Sequence, residues 1–133
     1  MTGTVLADAI VRADLRNVVL VGFSLGARVM AAAAEALATR DFEEPRVKSM
    51  HLLGGAVSTK RPWHSIENAV EDKVWNYWSA DDKILSAVYR TGEAGSKAIG
   101  ATGIPARSAR IKNVDVSRSV KTHFDYLKHV KLR

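Results

Sequence analysis

The sequence predicts an α/β fold built on a parallel sheet of about four strands with crossover helices, and three observations predict it. Short apolar or β-branched runs alternate with helical patterns along the chain, the rhythm of βαβ units. The run "NVVLVG" is continuously apolar, as expected of a strand buried on both faces of a parallel sheet. The 133 residues, 47% of them hydrophobic, suffice for one core and not for two, so residues 1–133 are expected to form a single domain.

Each element follows in order. Val5, Leu6, Ala9, Ile10 and Ala13 recur at helical spacing and predict a helix from about Val5 to Leu15, closing near "LRN". "NVVLVG" is the first strand. "ARVMAAAAEALATR", from Ala27 to about Arg40, holds strong helix formers and almost no polar face, so this helix is expected to be nearly buried. "RVKSMHLLGG" reads as the second strand, "WHSIENAVED" as a short helix and "KVWNYWS" as the third strand. "KILSAVYRTG" predicts a helix stopped by Gly92, and the glycine-rich stretch from Gly92 to Arg107 a mobile loop. "RIKNVDV" is the fourth strand. "SVKTHFDYLKHVKL" is expected to end the chain as a helix with Val120, Phe124, Leu127 and Val130 on one face.

Composition removes several function classes. The chain has no cysteine, which excludes disulfides, thiolate nucleophiles and cysteine zinc sites. No apolar run approaches the length of a membrane span, and "MTGTVLADAIVRADLRN" lacks the layout of a signal peptide, so a soluble, cytoplasmic protein is expected. Twenty basic residues against 14 acidic give a net charge of +6, with much of the excess after Lys97. No aromatic-interleaved basic motif accompanies it, so a solvated basic face is expected before a nucleic-acid surface.

The chemistry gathers around "GFSLG". It matches G-x-S-x-G, with Gly22 ending a predicted strand and Gly26 opening a predicted helix, the setting of a nucleophile elbow. Glycines would flank Ser24 because the turn is strained and neighbouring chain passes close. The turn aims a helix N-terminus at the serine and offers the Leu25 N–H to a developing oxyanion. The plainer reading makes Ser24 a helix cap. A serine needs a base and the base an orienting acid, in the chain order Ser, Asp or Glu, His. "SADDKIL" follows the third strand, so Asp81 and Asp82 are both candidates for the acid, or for a cap of the next helix. Of the four histidines only His123 falls just after the last strand, near a helix start; a surface role is the alternative.

These residues resemble the α/β-hydrolase superfamily. More narrowly, "LVGFSLGARV", "HLLGGAV", "YWSADDKIL" and "NVDVSRSVKTHFDY" are similar to successive blocks of the hydrolase-like domain, itself of unknown function, of the transmembrane and coiled-coil domain-containing protein four family. In that family the acid block reads serine, two variable positions, aspartate, which falls on Asp82; the histidine block falls on His123. The resemblance implies a catalytic triad of Ser24, Asp82 and His123 with Leu25 in the oxyanion hole. It also implies a partial fold, the C-terminal half of an α/β hydrolase, because the strands that would supply the second oxyanion donor have no counterpart before Asn17.

The expected function is therefore a serine esterase or lipase-like hydrolase acting on a small-molecule or lipid ester, with no cofactor and no metal. The alternative is an inactive hydrolase-like module of assembly or protein interaction, and nucleic-acid binding is a weaker third. Successive crossovers would put the helices on one sheet face, leaving the other to the C-terminal helix, with the elbow strand as an open edge. A homo-oligomer, or a partner chain supplying the missing half of the sheet, is the expected remedy.

Overall fold

The computed structural model describes residues 2–40, 43–91 and 96–133. The chain is an α/β protein in which four strands, β1 (Val18–Phe23), β2 (Val47–Leu53), β3 (Val74–Trp78) and β4 (Ile111–Asp115), form one parallel sheet in the order β1-β2-β3-β4. Between them run α2 (Leu25–Ala38), α3 (Trp63–Asn68), α4 (Lys83–Thr91) and the single turn α5 (Ile99–Thr102). Helix α1 (Thr2–Arg12) precedes β1; a 3-10 turn (His123–Asp125) and α6 (Tyr126–His129) follow β4. No helix of the described residues is long and apolar enough to cross a membrane.

Register decides which side chains share a face. Leu20, Met50, Val74 and Ile111 lie side by side across the strands, and so do Gly22, Leu52, Asn76 and Asn113. The first row meets Ala27, Ala31, Ala34 and Leu37 of α2, Trp63 and Ile66 of α3, and Ile99 in the main core. Of α2 only Leu25 and Arg28 are exposed, as its near-absent polar face predicts. Helix α1 packs on α2, with Gly3, Ala7 and Ile10 inward. The expected stripe is thus displaced: Val5 and Ala9 face solvent. The cause is close approach at Gly3, where a Cβ would sit 2.5 Å from Ala32 Cβ. The helix ends earlier than expected, because Asp14 turns left-handed (φ 49°) while the Leu15 and Asp14 amides close back on Ile10 and Val11.

On the opposite face the row Phe23, Leu53, Tyr77 and Val114 is covered by the C-terminal segment, chiefly Val120 and Tyr126. Val19 and Val21 of β1 remain half exposed, and among the described residues β1 pairs only with β2. Two expectations need correction. The C-terminal segment is not one long helix, and Phe124 and Leu127 point outward, while Val120, His123 and Tyr126 are buried. Hydrogen bonds available only to His123 and Tyr126 rotate the segment. Of the stretch expected to be a loop, Gly92–Gly95 lie outside the described residues, but Ile99, Gly100 and Ala101 are buried in the core. Gly100 fits there because a Cβ would lie 2.4 Å from the Gly54 backbone.

His51 sits on this second face, 5% exposed, with Nδ1 3.0 Å from the Tyr77 hydroxyl and Nε2 3.4 Å from Ser49 Oγ. Burial lowers its pKa, so the folded chain resists a proton that the unfolded chain binds below the ordinary histidine value of about 6.5. The sign follows: stability is fully present above that value and falls as pH drops through it. Urea unfolding is expected to show a midpoint declining between about pH 7 and 5, and His51→Gln is expected to flatten that decline; an unchanged slope would assign it elsewhere.

Candidate active site

The site begins with a backbone conformation. Ser24, between β1 and α2, has φ 55° and ψ −116°, a region that costs a side-chain-bearing residue about 1–3 kcal/mol. Three hydrogen bonds hold it there: the Ser24 amide donates to Leu53 O (3.0 Å), and its carbonyl accepts from Ala56 (3.0 Å) and Ala27 (3.2 Å). Gly22 is required by contact, since a Cβ would stand 2.6 Å from Ala27 Cα and from Gly26 O. Gly26 is not: a Cβ there would meet nothing within 4 Å, which corrects the expectation that both glycines answer to crowding. As the first residue of α2, Leu25 has an N–H with no intrahelical acceptor. The Ser24 hydroxyl makes no cap hydrogen bond to the helix.

It meets His123 instead. Ser24 Oγ lies 2.8 Å from His123 Nε2, and His123 Nδ1 lies 2.6 Å from Asp82 Oδ2. The carboxylate accepts from Nδ1–H, which leaves the Nε2 lone pair to accept the serine proton. Asp82 is fully buried and His123 is 5% exposed. Asp82 Oδ1 also accepts the Leu85 amide (3.1 Å), so this one side chain both caps α4 and orients the imidazole. Asp81 turns away to the Lys121 ammonium at 3.1 Å. Two of the other three histidines are bonded elsewhere: His51 meets Tyr77 and Ser49, and His64 meets Glu67.

Aromatic packing and caps hold the histidine. Phe23 stacks on its ring at 5.1 Å, and Tyr126 and Phe124 meet it edge-on at 6.2 and 5.7 Å. Thr122 and Asp125 form a capping box, and the amides of Thr122 and Lys121 hold the Asp125 carboxyl below the usual range. Tyr126 donates its hydroxyl to Gly100 O at 3.0 Å; burial, with the Asp82 charge adding to it, pushes its phenol well above the usual value. Ser79, at the end of β3, donates Oγ to Val120 O at 2.7 Å and its amide to Gly100 O at 3.0 Å. The positioning roles of Tyr126 and Ser79 had no signal in residue patterning, whereas "THFD" carries a readable capping-box signature.

All three groups thus stand just beyond the carboxyl ends of β1, β3 and β4, in hydrogen-bond contact that suits transfer of a hydroxyl proton to imidazole. Among the described residues no three His, Asp or Glu side chains gather as a metal cluster would.

Comparison with known proteins places the chain further. The family profile described as "Protein of unknown function (DUF726)" matches residues 1–132. The chain is 35% identical over 133 residues to the transmembrane and coiled-coil domain-containing protein STS1 of Oryza sativa subsp. japonica, covering 94% of this chain and 19% of that protein. It is 36% identical over 127 residues to the uncharacterized membrane protein C6F6.13c of Schizosaccharomyces pombe, covering 93% and 22%. With the uncharacterized membrane protein F35D11.3 of Caenorhabditis elegans it shares 32% over 117 residues, covering 86% and 19%. The chain therefore spans about a fifth of the length of these relatives. No solved structure matches it.

The asymmetry of the two glycines is testable. Gly22→Ala is expected to cost about 1–3 kcal/mol in urea unfolding, because backbone must shift to admit the methyl group. Gly26→Ala is expected to be neutral or to stabilise by up to about 1 kcal/mol, as alanine replaces glycine in a helix with space to spare. Equal losses at both positions would contradict this account of the turn.

Proposed function

We propose that the chain, which belongs to the DUF726 family of proteins of unknown function, is a serine hydrolase of carboxylic esters, with Ser24 as nucleophile, His123 as general base and Asp82 as orienting acid. The observation that carries this reading is the continuous hydrogen-bonded line from Asp82 through His123 to Ser24, ending on a strained strand-to-helix turn. The chain order Ser, Asp, His and the placement beyond parallel strands support a likeness to the α/β hydrolases.

The reaction follows from the geometry. Ser24 Oγ bonds to the acyl carbon as its proton passes to His123 Nε2, and the carbonyl oxygen becomes an oxyanion facing the Leu25 N–H. Asp82 stabilises the resulting imidazolium across Nδ1. Collapse breaks the ester C–O bond, and the alcohol leaves with the proton from Nε2. Water, deprotonated by the same nitrogen, then adds to the acyl-serine; collapse releases the acid and returns the proton to Oγ.

Leu25 is one donor, where such sites use two, and loss of one donor costs about 10²–10³ in rate. In this reading the second comes from polypeptide seated along the edge of β1 that is unpaired among the described residues, where Val19 and Val21 are half exposed. The second reading is an inactive module that keeps the fold for assembly.

A fluorophosphonate probe separates the two. Wild-type chain is expected to be labelled and Ser24→Ala not at all. Asp82→Asn is expected to slow labelling by about 10²–10⁴-fold through loss of the correct tautomer, and Asp81→Asn to change it by less than about twofold, as for an exposed ion pair. A folded wild-type chain that resists the probe would establish the inactive module; slowing by Asp81→Asn but not Asp82→Asn would reverse the acid assignment.

A further inference from the structure

The three most exposed large hydrophobic side chains among the described residues all adjoin the site: Leu127 (68%), Phe124 (67%) and Leu25 (63%). Leu25 follows Ser24 directly, Phe124 follows His123, and Ile84, also exposed, stands two residues beyond Asp82. Because Ser24, His123 and Asp82 are in hydrogen-bond contact, the Cα atoms of these apolar residues lie within two peptide steps, about 8 Å, of the site residue each follows. Leu127 extends the apolar surface one helical turn past Phe124, and Val88 does so past Ile84. Exposed apolar side chains thus stand on each of the three segments that carry the site, α2, α4 and the C-terminal turn, which itself touches α4.

The charges among them are of one effective sign. Lys83 precedes Ile84 and Lys128 follows Leu127, both exposed. The two carboxylates of the same surface are engaged, Asp81 with the Lys121 ammonium and Asp125 with the amides of Lys121 and Thr122. Apolar tips beside lysines, on a chain of net charge +6, complement one kind of surface: a negative headgroup layer over hydrocarbon, into which the tips insert while the lysine stems lie along the boundary.

We infer that this apolar surface docks the site onto an anionic lipid surface, with Leu25, Ile84, Phe124 and Leu127 as the inserting side chains and Lys83 and Lys128 as the attracting charges. The inference rests on the hydrolase reading only for its consequence, that the ester reaching Ser24 comes from that surface; the docking itself stands on exposure and charge.

Co-sedimentation of the whole chain with vesicles tests it. Wild type is expected to pellet at least about tenfold more with phosphatidylcholine vesicles containing phosphatidylglycerol than with phosphatidylcholine alone, and to be released by salt. Ile84→Ser with Leu127→Ser is expected to lower binding about tenfold or more; Lys83→Glu with Lys128→Glu is expected to do the same without touching the apolar residues. A wild-type chain that stays in the supernatant with mixed vesicles overturns the inference. So does pelleting that neither pair of substitutions changes, and so does a dimer, ignoring vesicles, that Leu127→Ser dissociates. Fluorophosphonate labelling without vesicles keeps the two claims apart: a labelled chain that ignores vesicles sinks the docking alone, and a pelleting chain never labelled sinks the hydrolase reading alone.

Discussion

The left-handed backbone of Ser24 is the constraint on which the rest of the structure depends. Its cost of about 1–3 kcal/mol persists because Leu53, Ala56 and Ala27 hold both sides of the peptide unit and because Gly22 lets α2 start almost in contact with β1. That contact dictates the composition of α2. A helix pressed so close to β1 and β2 has room for methyl groups, and Ala27, Ala31 and Ala34 supply them. The small residues then allow Gly3 of α1 to approach Ala32. One turn therefore sets the spacing of α2, and through it of α1, on the main-core face.

Register carries the same constraint across the sheet. Gly22 aligns with Leu52, and Leu52 with Asn76, whose side-chain amide donates to Ile99 O and to Asn113 Oδ1. The segment from Ala98 is thereby held over the carboxyl ends of the strands. Gly100 presents its carbonyl there to the Ser79 amide and the Tyr126 hydroxyl. Asp82 lies three residues past Ser79, and His123 three before Tyr126, so one backbone oxygen ties together the two segments that carry Asp82 and His123. A small residue is demanded at 100 by backbone contact.

Where sequence and structure agree, a strong local signal coincided with the global solution. The valine run of β1, the alanine face of α2 and the G-x-S-x-G turn were legible because strand burial, helix burial and backbone strain each leave a compositional trace. The choice between Asp81 and Asp82 was not legible from the residues themselves; both follow β3 and either could cap α4. Their surroundings differ in the structure: Asp82 is buried against the Leu85 amide and the imidazole, and Asp81 meets the Lys121 ammonium. The stretch near Ile99 misled for a similar reason. Its small residues read as flexibility, yet Gly100 is small because Gly54 and Gly55 pass within contact distance.

The C-terminal segment shows most plainly how buried polar partners override apolar pattern. Apolar periodicity favours a helix burying Val120, Phe124, Leu127 and Val130, whereas the structure buries Val120, His123 and Tyr126 and leaves Phe124 and Leu127 exposed. The two stripes differ by a single residue, or about 100° of rotation. Exposing Phe124 and Leu127 forgoes about 1.5–3 kcal/mol for each. Against this stand the burial of the Tyr126 ring with its bond to Gly100 O, and the charge-assisted bond from His123 to Asp82, worth about 1.5–3 kcal/mol. The capping box at Thr122 and Asp125 adds to these and starts the turn one residue before His123. These terms are comparable, so burial alone does not choose the rotation; the polar partners of His123 and Tyr126 do. The exposed phenylalanine and leucine are the physical counterpart of a seated histidine, and the rotation that brings Nε2 to Ser24 is the one that turns Phe124 and Leu127 to solvent.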